Sequence, residues 1–208
     1  MKILVMGAGK MGSFFIDLLS FEHEVAVFER DPKRMRFTYN CQRFTSYEEI
    51  EEFKPELLIN AVTLKYTIPV FEQVIPHLPK ECIISDIASV KTDLKEFYEA
   101  SGMRYVSTHP MFGPTFANLQ QLSEENAIII SEGDYMGRIF FKEFLQFSTD
   151  LRHLIVSIGI EENFLQQIVV LIQYTLGDSH VTLEGGTRCI LMLHNSSKHK
   201  SADKWYRQ

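Results

Sequence analysis

The apolar run Ile3-Leu4-Val5-Met6 breaks at Gly7-Ala8-Gly9-Lys10-Met11-Gly12, and few architectures hold that pair of features side by side. A continuous apolar run reads as a strand buried on both faces. Three glycines at G-x-G-x-x-G spacing, between a strand and a helix, each have a task. Gly7 permits a tight turn, Gly9 lets a pyrophosphate approach the backbone, and Gly12 lets the helix pack close to the strand. The helix N-terminus that follows offers free N–H groups and a positive dipole end to phosphates, and Lys10 and Met11 within the turn are cofactor-binding candidates. The plainer alternative is a turn that merely reverses the chain. The strand before it, the helix after it and an acid further on favour the dinucleotide reading.

That acid is Glu29, 17 residues after Gly12 at the end of the next apolar segment. A carboxylate there accepts hydrogen bonds from adenosine ribose hydroxyls and repels a 2′-phosphate, so the pattern predicts NAD ahead of NADP. Arg30, Lys33 and Arg34 follow at once, and a guanidinium beside the ribose suits the 2′-phosphate. Arg30 is therefore a candidate cofactor contact whichever dinucleotide is bound.

Strand and helix patterns alternate over residues 1–150. Strands are predicted at Lys2–Met6, Glu24–Glu29, Gln42–Phe44, Glu56–Ala61, Glu81–Asp86, Met103–Ser107 and Asn126–Ser131. Helices are predicted at Gly12–Ser20, Tyr47–Phe53, Ile68–Ile75, Thr92–Ala100 and Tyr135–Phe147. Such alternation favours an α/β fold with a doubly wound, mostly parallel sheet. The 58 residues after 150 differ in texture. They offer an amphipathic helix over Glu161–Leu176, a hairpin around Gly185-Gly186 and a polar tail from His194 to Gln208. The expected organisation is a dinucleotide-binding domain over 1–150 and a short, atypical extension over 151–208.

In a doubly wound sheet, ligands sit at the carboxyl ends of the strands. Val62 and Thr63 end one strand and are expected on the nicotinamide ribose side. Asp86-Ile87-Ala88-Ser89-Val90-Lys91 ends another, which places Ser89 and Lys91 near the site. Lys91 also suits a solvated first helical turn, and Asp86 also suits a cap or brace. The next strand leads into Thr108-His109-Pro110-Met111-Phe112-Gly113-Pro114, read as a stiff loop. An imidazole titrates near 6.5, so His109 can take a proton at neutral pH, with Ser89 as a hydroxyl to orient it. A lone histidine is otherwise more simply a structural residue.

A net charge of −6 argues against a nucleic-acid surface. Cys41, Cys82 and Cys189 are far apart and form no CxxC pair, so neither a metal site nor a disulfide framework is expected, and a reducing cytoplasm fits. The apolar start breaks too early for a signal peptide, and no run approaches the ~18 apolar residues of a membrane span.

Taken in order, Gly7-x-Gly9-x-x-Gly12, Asp86-Ile87-Ala88-Ser89-Val90-Lys91 and His109-Pro110-Met111-Phe112-Gly113-Pro114 resemble the prephenate/arogenate dehydrogenase family of tyrosine biosynthesis. The resemblance covers about residues 1–150. It implies a Rossmann-type fold and NAD-dependent oxidative decarboxylation of prephenate to 4-hydroxyphenylpyruvate, or of arogenate to tyrosine. It implies that His109 accepts the proton of the ring 4-hydroxyl and that Ser89 hydrogen-bonds both that hydroxyl and the histidine. It also implies a homodimer built through a helical C-terminal domain, which supplies an arginine for the substrate carboxylate. Residues 151–208 depart from that pattern, and Arg152, Arg188 and Arg207 match no motif. Two rival readings follow: a nucleotide-binding module without catalysis, or another nicotinamide enzyme such as a hydroxyacid or imine reductase.

Overall fold

A computed structural model describes residues 1–110 and 127–147 of the 208. The chain divides into two units, Met1–Ser157 and Ile158–Gln208. The second unit lies outside the described residues, and with it the expected helix over 161–176, the hairpin and the tail.

Seven strands form one sheet: β1 (Lys2–Met6), β2 (Glu24–Phe28), β3 (Gln42–Phe44), β4 (Leu57–Asn60), β5 (Ile83–Asp86), β6 (Arg104–Pro110) and β7 (Ala127–Gly133). Their spatial order is β3-β2-β1-β4-β5-β6-β7. The first six run parallel, and β7 runs antiparallel to β6. The helices are α1 (Lys10–Leu19), α2 (Tyr47–Phe53), α3 (Thr67–Val74), α4 (Leu94–Ser101) and α5 (Tyr135–Phe147). The order reverses direction between β1 and β4, the topological switch point where such sheets open a crevice.

Strand side chains alternate between faces, so each strand feeds two cores. Ile3, Val5, Val25, Val27, Leu57 and Ile59 pack with Phe15, Ile16 and Leu19 of α1 and Phe141 of α5. Leu4, Met6, Ala26, Leu58 and Ile84 pack on the other face with Ile50, Phe53, Phe71, Val74, Leu94 and Tyr98 from α2, α3 and α4. Burial on both faces is why these strands read as near-continuous apolar runs rather than as alternating ones. Among the described residues no helix is long and apolar enough to cross a membrane.

Three of the boundary differences from the sequence reading bear on the site. Helix α1 begins at Lys10 rather than Gly12, because Gly9 already takes an extended conformation and serves as N-cap. Helix α4 begins at Leu94, after Asp93 adopts a left-handed φ of 62° that delays the helix. Strand β6 runs on through Pro110, so His109 sits inside a strand and not on a loop. The cause is β7, whose Ile128 pairs with His109 and whose Ala127 pairs with Pro110.

Helix α1 approaches the sheet closely at one place. A Cβ added at Gly12 would lie 1.9 Å from the Gly7 carbonyl oxygen. Backbone cannot yield there as a side-chain tip could, so Gly12→Ala forces the helix away from the turn. We expect a loss of about 3 kcal/mol, or roughly 6–12 °C in Tm for a chain of this size, checked by a thermal melt against the parent protein.

Candidate active site

The glycine turn, the end of β2 and the segment after β4 enclose a cleft of about 390 Å³. Gly7, Gly9, Glu29, Arg30, Val62 and Thr63 line it, joined by Asp31, Arg34 and Tyr66. Gly7 holds a φ of 96°, which only glycine adopts readily, and its N–H donates to the Phe28 carbonyl at 2.9 Å. No side chain caps α1, which starts directly after Gly9 of the turn. A Cβ at Gly9 would meet nothing within 4 Å. Open space over that backbone, beside an uncapped helix start, is what a pyrophosphate requires. The residues present therefore fit a dinucleotide.

Glu29 is more constrained than a free ribose acceptor. Its Oε2 accepts the Ala8 N–H at 3.0 Å and its Oε1 accepts the Asp31 N–H at 3.0 Å. Each carboxylate oxygen keeps a second lone pair for a ligand hydroxyl. The carboxylate thus ties the glycine turn to the end of β2 while facing the cleft. Arg30 is exposed, with its guanidinium 6.0 Å from the Tyr66 ring centre. Lys10 is exposed, and Met11 packs partly against the core rather than lining the cleft.

One and two strands beyond β4, the carboxyl ends of β5 and β6 carry a second, buried cluster. Asp86 is fully buried and Lys91 nearly so. Lys91 Nζ donates to Asp86 Oδ2 and, at 2.7 Å, to the Thr108 carbonyl. Tyr98 of α4 donates its hydroxyl to Asp86 Oδ1 at 2.6 Å, and the Ala88 N–H donates to Oδ2 at 2.9 Å. Thr108 Oγ1 donates to the Asp86 carbonyl at 3.0 Å. Burial pushes the Lys91 ammonium down from its usual range, and the Asp86 carboxylate opposes that push. Burial and the same carboxylate hold the Tyr98 phenol well above its usual range, so it remains a donor.

His109 follows Thr108 directly. The side chain is largely enclosed, and its Nδ1 is buried without a hydrogen-bond partner among the described residues. Burial lowers its pKa from 6.5 to about 4; the Lys91 charge pushes the same way, and Asp86 pulls weakly back. The imidazole is therefore neutral at pH 7 and able to accept a proton. Two residues earlier, Ser107 is fully buried with its Oγ also unpartnered among the described residues.

The structure thus sorts the expected residues into two groups. Gly7, Gly9, Glu29, Arg30, Val62 and Thr63 come together at one cleft, with Gly12 packed beneath it. Ser89, Lys91 and His109 lie at the next strand ends and are not among that cleft's walls. Ser89 is half-buried in the bend after β5 and makes no hydrogen bond to His109 among the described residues. The solvated reading of Lys91 is corrected: its ammonium is buried and committed to Asp86 and Thr108. Asp86 proves to be a brace. Sequence reasoning missed Tyr98 and Ser107. Nothing local flags Tyr98, but strand alternation puts Ser107 level with Asp86, its register partner.

Sheet order, switch point and glycine turn define a doubly wound α/β domain of the dinucleotide-binding type. The profile of the family described as prephenate dehydrogenase, nucleotide-binding domain, matches residues 21–146, more than half of the chain. The chain belongs to that family. A probable arogenate/prephenate dehydrogenase of Methanocaldococcus jannaschii is 35% identical over 69 residues, which is 32% of this chain and 16% of that protein. The chain therefore matches only a small part of this relative's length. Among solved structures, prephenate dehydrogenase from A. aeolicus with hydroxyphenyl propionate and NAD+ superposes with a TM-score of 0.62 at 14% identity, over 99% of this chain and 86% of that one. Synechocystis arogenate dehydrogenase gives 0.61 at 19% identity, over 100% and 78%. An imine reductase from Bacillus cereus also gives 0.61, at 18% identity, over 95% and 66%. At these identities the likeness is one of fold.

The depressed His109 pKa has a consequence for stability. The folded value lies below the ordinary 6.5, so between pH 6.5 and about 4 the unfolded chain binds more protons. The contribution is complete above pH 6.5 and is lost as pH falls toward 4, at most about 1.4 kcal/mol per pH unit. Melts from pH 7 to 4.5 should show the parent losing more stability than His109→Gln. Equal losses in the two proteins contradict the depressed value.

Proposed function

We propose that residues 1–150 bind NAD across the carboxyl ends of β1, β2 and β4, and that the chain oxidatively decarboxylates prephenate, with arogenate as the alternative substrate. The observation that carries this reading is a neutral, enclosed imidazole at the end of β6, in the sheet that also holds the open glycine turn. The family membership supports it.

The α1 N-terminus and Gly9 hold the pyrophosphate, and Glu29 accepts from the adenosine ribose, which favours NAD over NADP. Val62 and Thr63, which line the cleft, are assigned to the nicotinamide ribose. Bound NAD supplies the two-electron acceptor. With Nδ1 enclosed, Nε2 of His109 is the nitrogen left for substrate. It takes the proton of the ring 4-hydroxyl as hydride departs from the same carbon, so positive charge does not build on oxygen. Loss of carbon dioxide then gives the aromatic ring. Ser89 stands within the same strand-end region as a hydroxyl for the substrate.

A nucleotide-binding module without turnover is the second reading, favoured by a family match confined to the nucleotide-binding domain. The two are separated by one assay. Purified full-length chain should reduce NAD with prephenate or arogenate, and His109→Asn should lower turnover by roughly 10²-fold or more while NAD binding stays within about twofold. NAD binding with no turnover of either substrate establishes the second reading.

Gly9→Ala tests the nucleotide half alone. The added methyl meets no protein atom, so Tm should barely move. It intrudes where the pyrophosphate is placed, and NAD affinity measured by calorimetry should fall about tenfold or more, roughly 1.4 kcal/mol. Unchanged affinity removes the pyrophosphate from that position.

A further inference from the structure

Lys91 is the buried titratable group that the reaction above leaves without a task. Its ammonium is not at the surface of any described cleft, and among the described residues it spends its hydrogen bonds on Asp86 and on the Thr108 carbonyl. That carbonyl belongs to the peptide unit that begins His109. The carboxylate at the other end is itself held by Tyr98 from α4 and by the Ala88 N–H. The Thr108 hydroxyl closes the loop by donating to the Asp86 carbonyl. Five groups from β5, the following loop, α4 and β6 therefore converge one residue short of the imidazole.

We propose that Lys91, anchored by Asp86, is a positioning residue for His109: it fixes the Thr108–His109 peptide and holds an ammonium at the strand end that carries the ring. This rests on the role given to His109 above. A buried ion pair is poor value as a stabilising device, since desolvation of both charges opposes their attraction. Its better-attested use is to specify one arrangement, and here the arrangement specified is that of the residue next in the chain. Among the described residues the charged groups acting on the imidazole are Lys91, from the loop after β5, and Asp86, from β5. Helix α4 adds the neutral Tyr98 phenol to the cluster, and β7 sets Ile128 opposite His109. Of the two charges Lys91 has the stronger effect on the ring.

The test is an NMR titration of the His109 ring protons in the full chain, assigned by their disappearance in His109→Asn. In the parent the ring should remain neutral down to pH 5. In Lys91→Met its midpoint should rise by one pH unit or more, a tenfold gain in proton affinity, while NAD affinity stays within twofold. Lys91→Arg, which keeps the charge, should leave the midpoint low. If Lys91→Met does not fold because Asp86 is left unpaired, Asp86→Asn/Lys91→Met is compared with Asp86→Asn by the same criterion. A midpoint that stays put in a folded variant lacking the ammonium overturns the proposal, whatever the turnover. Full turnover by His109→Asn instead overturns the reaction assigned to the chain, and the titration still decides the role of Lys91.

Discussion

An ammonium and a carboxylate shut away from water are costly unless nearly every lone pair and proton has a partner. At the ends of β5 and β6 that condition is met by a side chain from α4, a backbone N–H from the loop and a carbonyl from β6. Because each partner comes from a different element, the pair forms only when all of them are in place. The sheet itself is held by apolar burial on both faces, which is strong but indifferent to small shifts. The polar cluster supplies what apolar packing lacks, a single register for the strand end that carries His109.

The glycine turn works differently. There the constraint is steric: Gly12 has no room above it, and Gly7 holds a left-handed turn. Gly9, between them, faces open space. Helix α1 is thereby pressed onto the sheet with no side chain capping its start. The cleft at the glycine turn offers backbone and a carboxylate to a ligand. The ends of β5 and β6 offer a neutral base among buried polar groups.

Much of this was legible locally. An apolar run, three glycines at fixed spacing and an acid one strand later are near neighbours in sequence, and each acts through backbone geometry that a residue type dictates. All seven strands and all five helices of the described residues fall where periodicity puts them, within a few residues at their ends. The strand position of His109 was not legible. It depends on β7, whose pairing partners lie about twenty residues downstream, so Pro110 and the glycine beyond it suggested a loop. Nor was the burial of Lys91. A lysine just ahead of a helix looks solvated, and only the convergence of Asp86, Tyr98 and Thr108 reveals otherwise. The spacing of Asp86 and Lys91 on one strand-end segment was the available hint.

Glu29 is the feature with the widest reach. Because its carboxylate secures the Ala8 N–H as well as lining the cleft, the group proposed to discriminate between dinucleotides is also a fastener of the glycine turn. Cofactor exchange by redesign at this position is therefore not a one-residue problem. Swapping the acid for a small or basic side chain strips an acceptor from the loop. A successful conversion must supply Ala8 with a substitute acceptor before any gain toward a second phosphate can register.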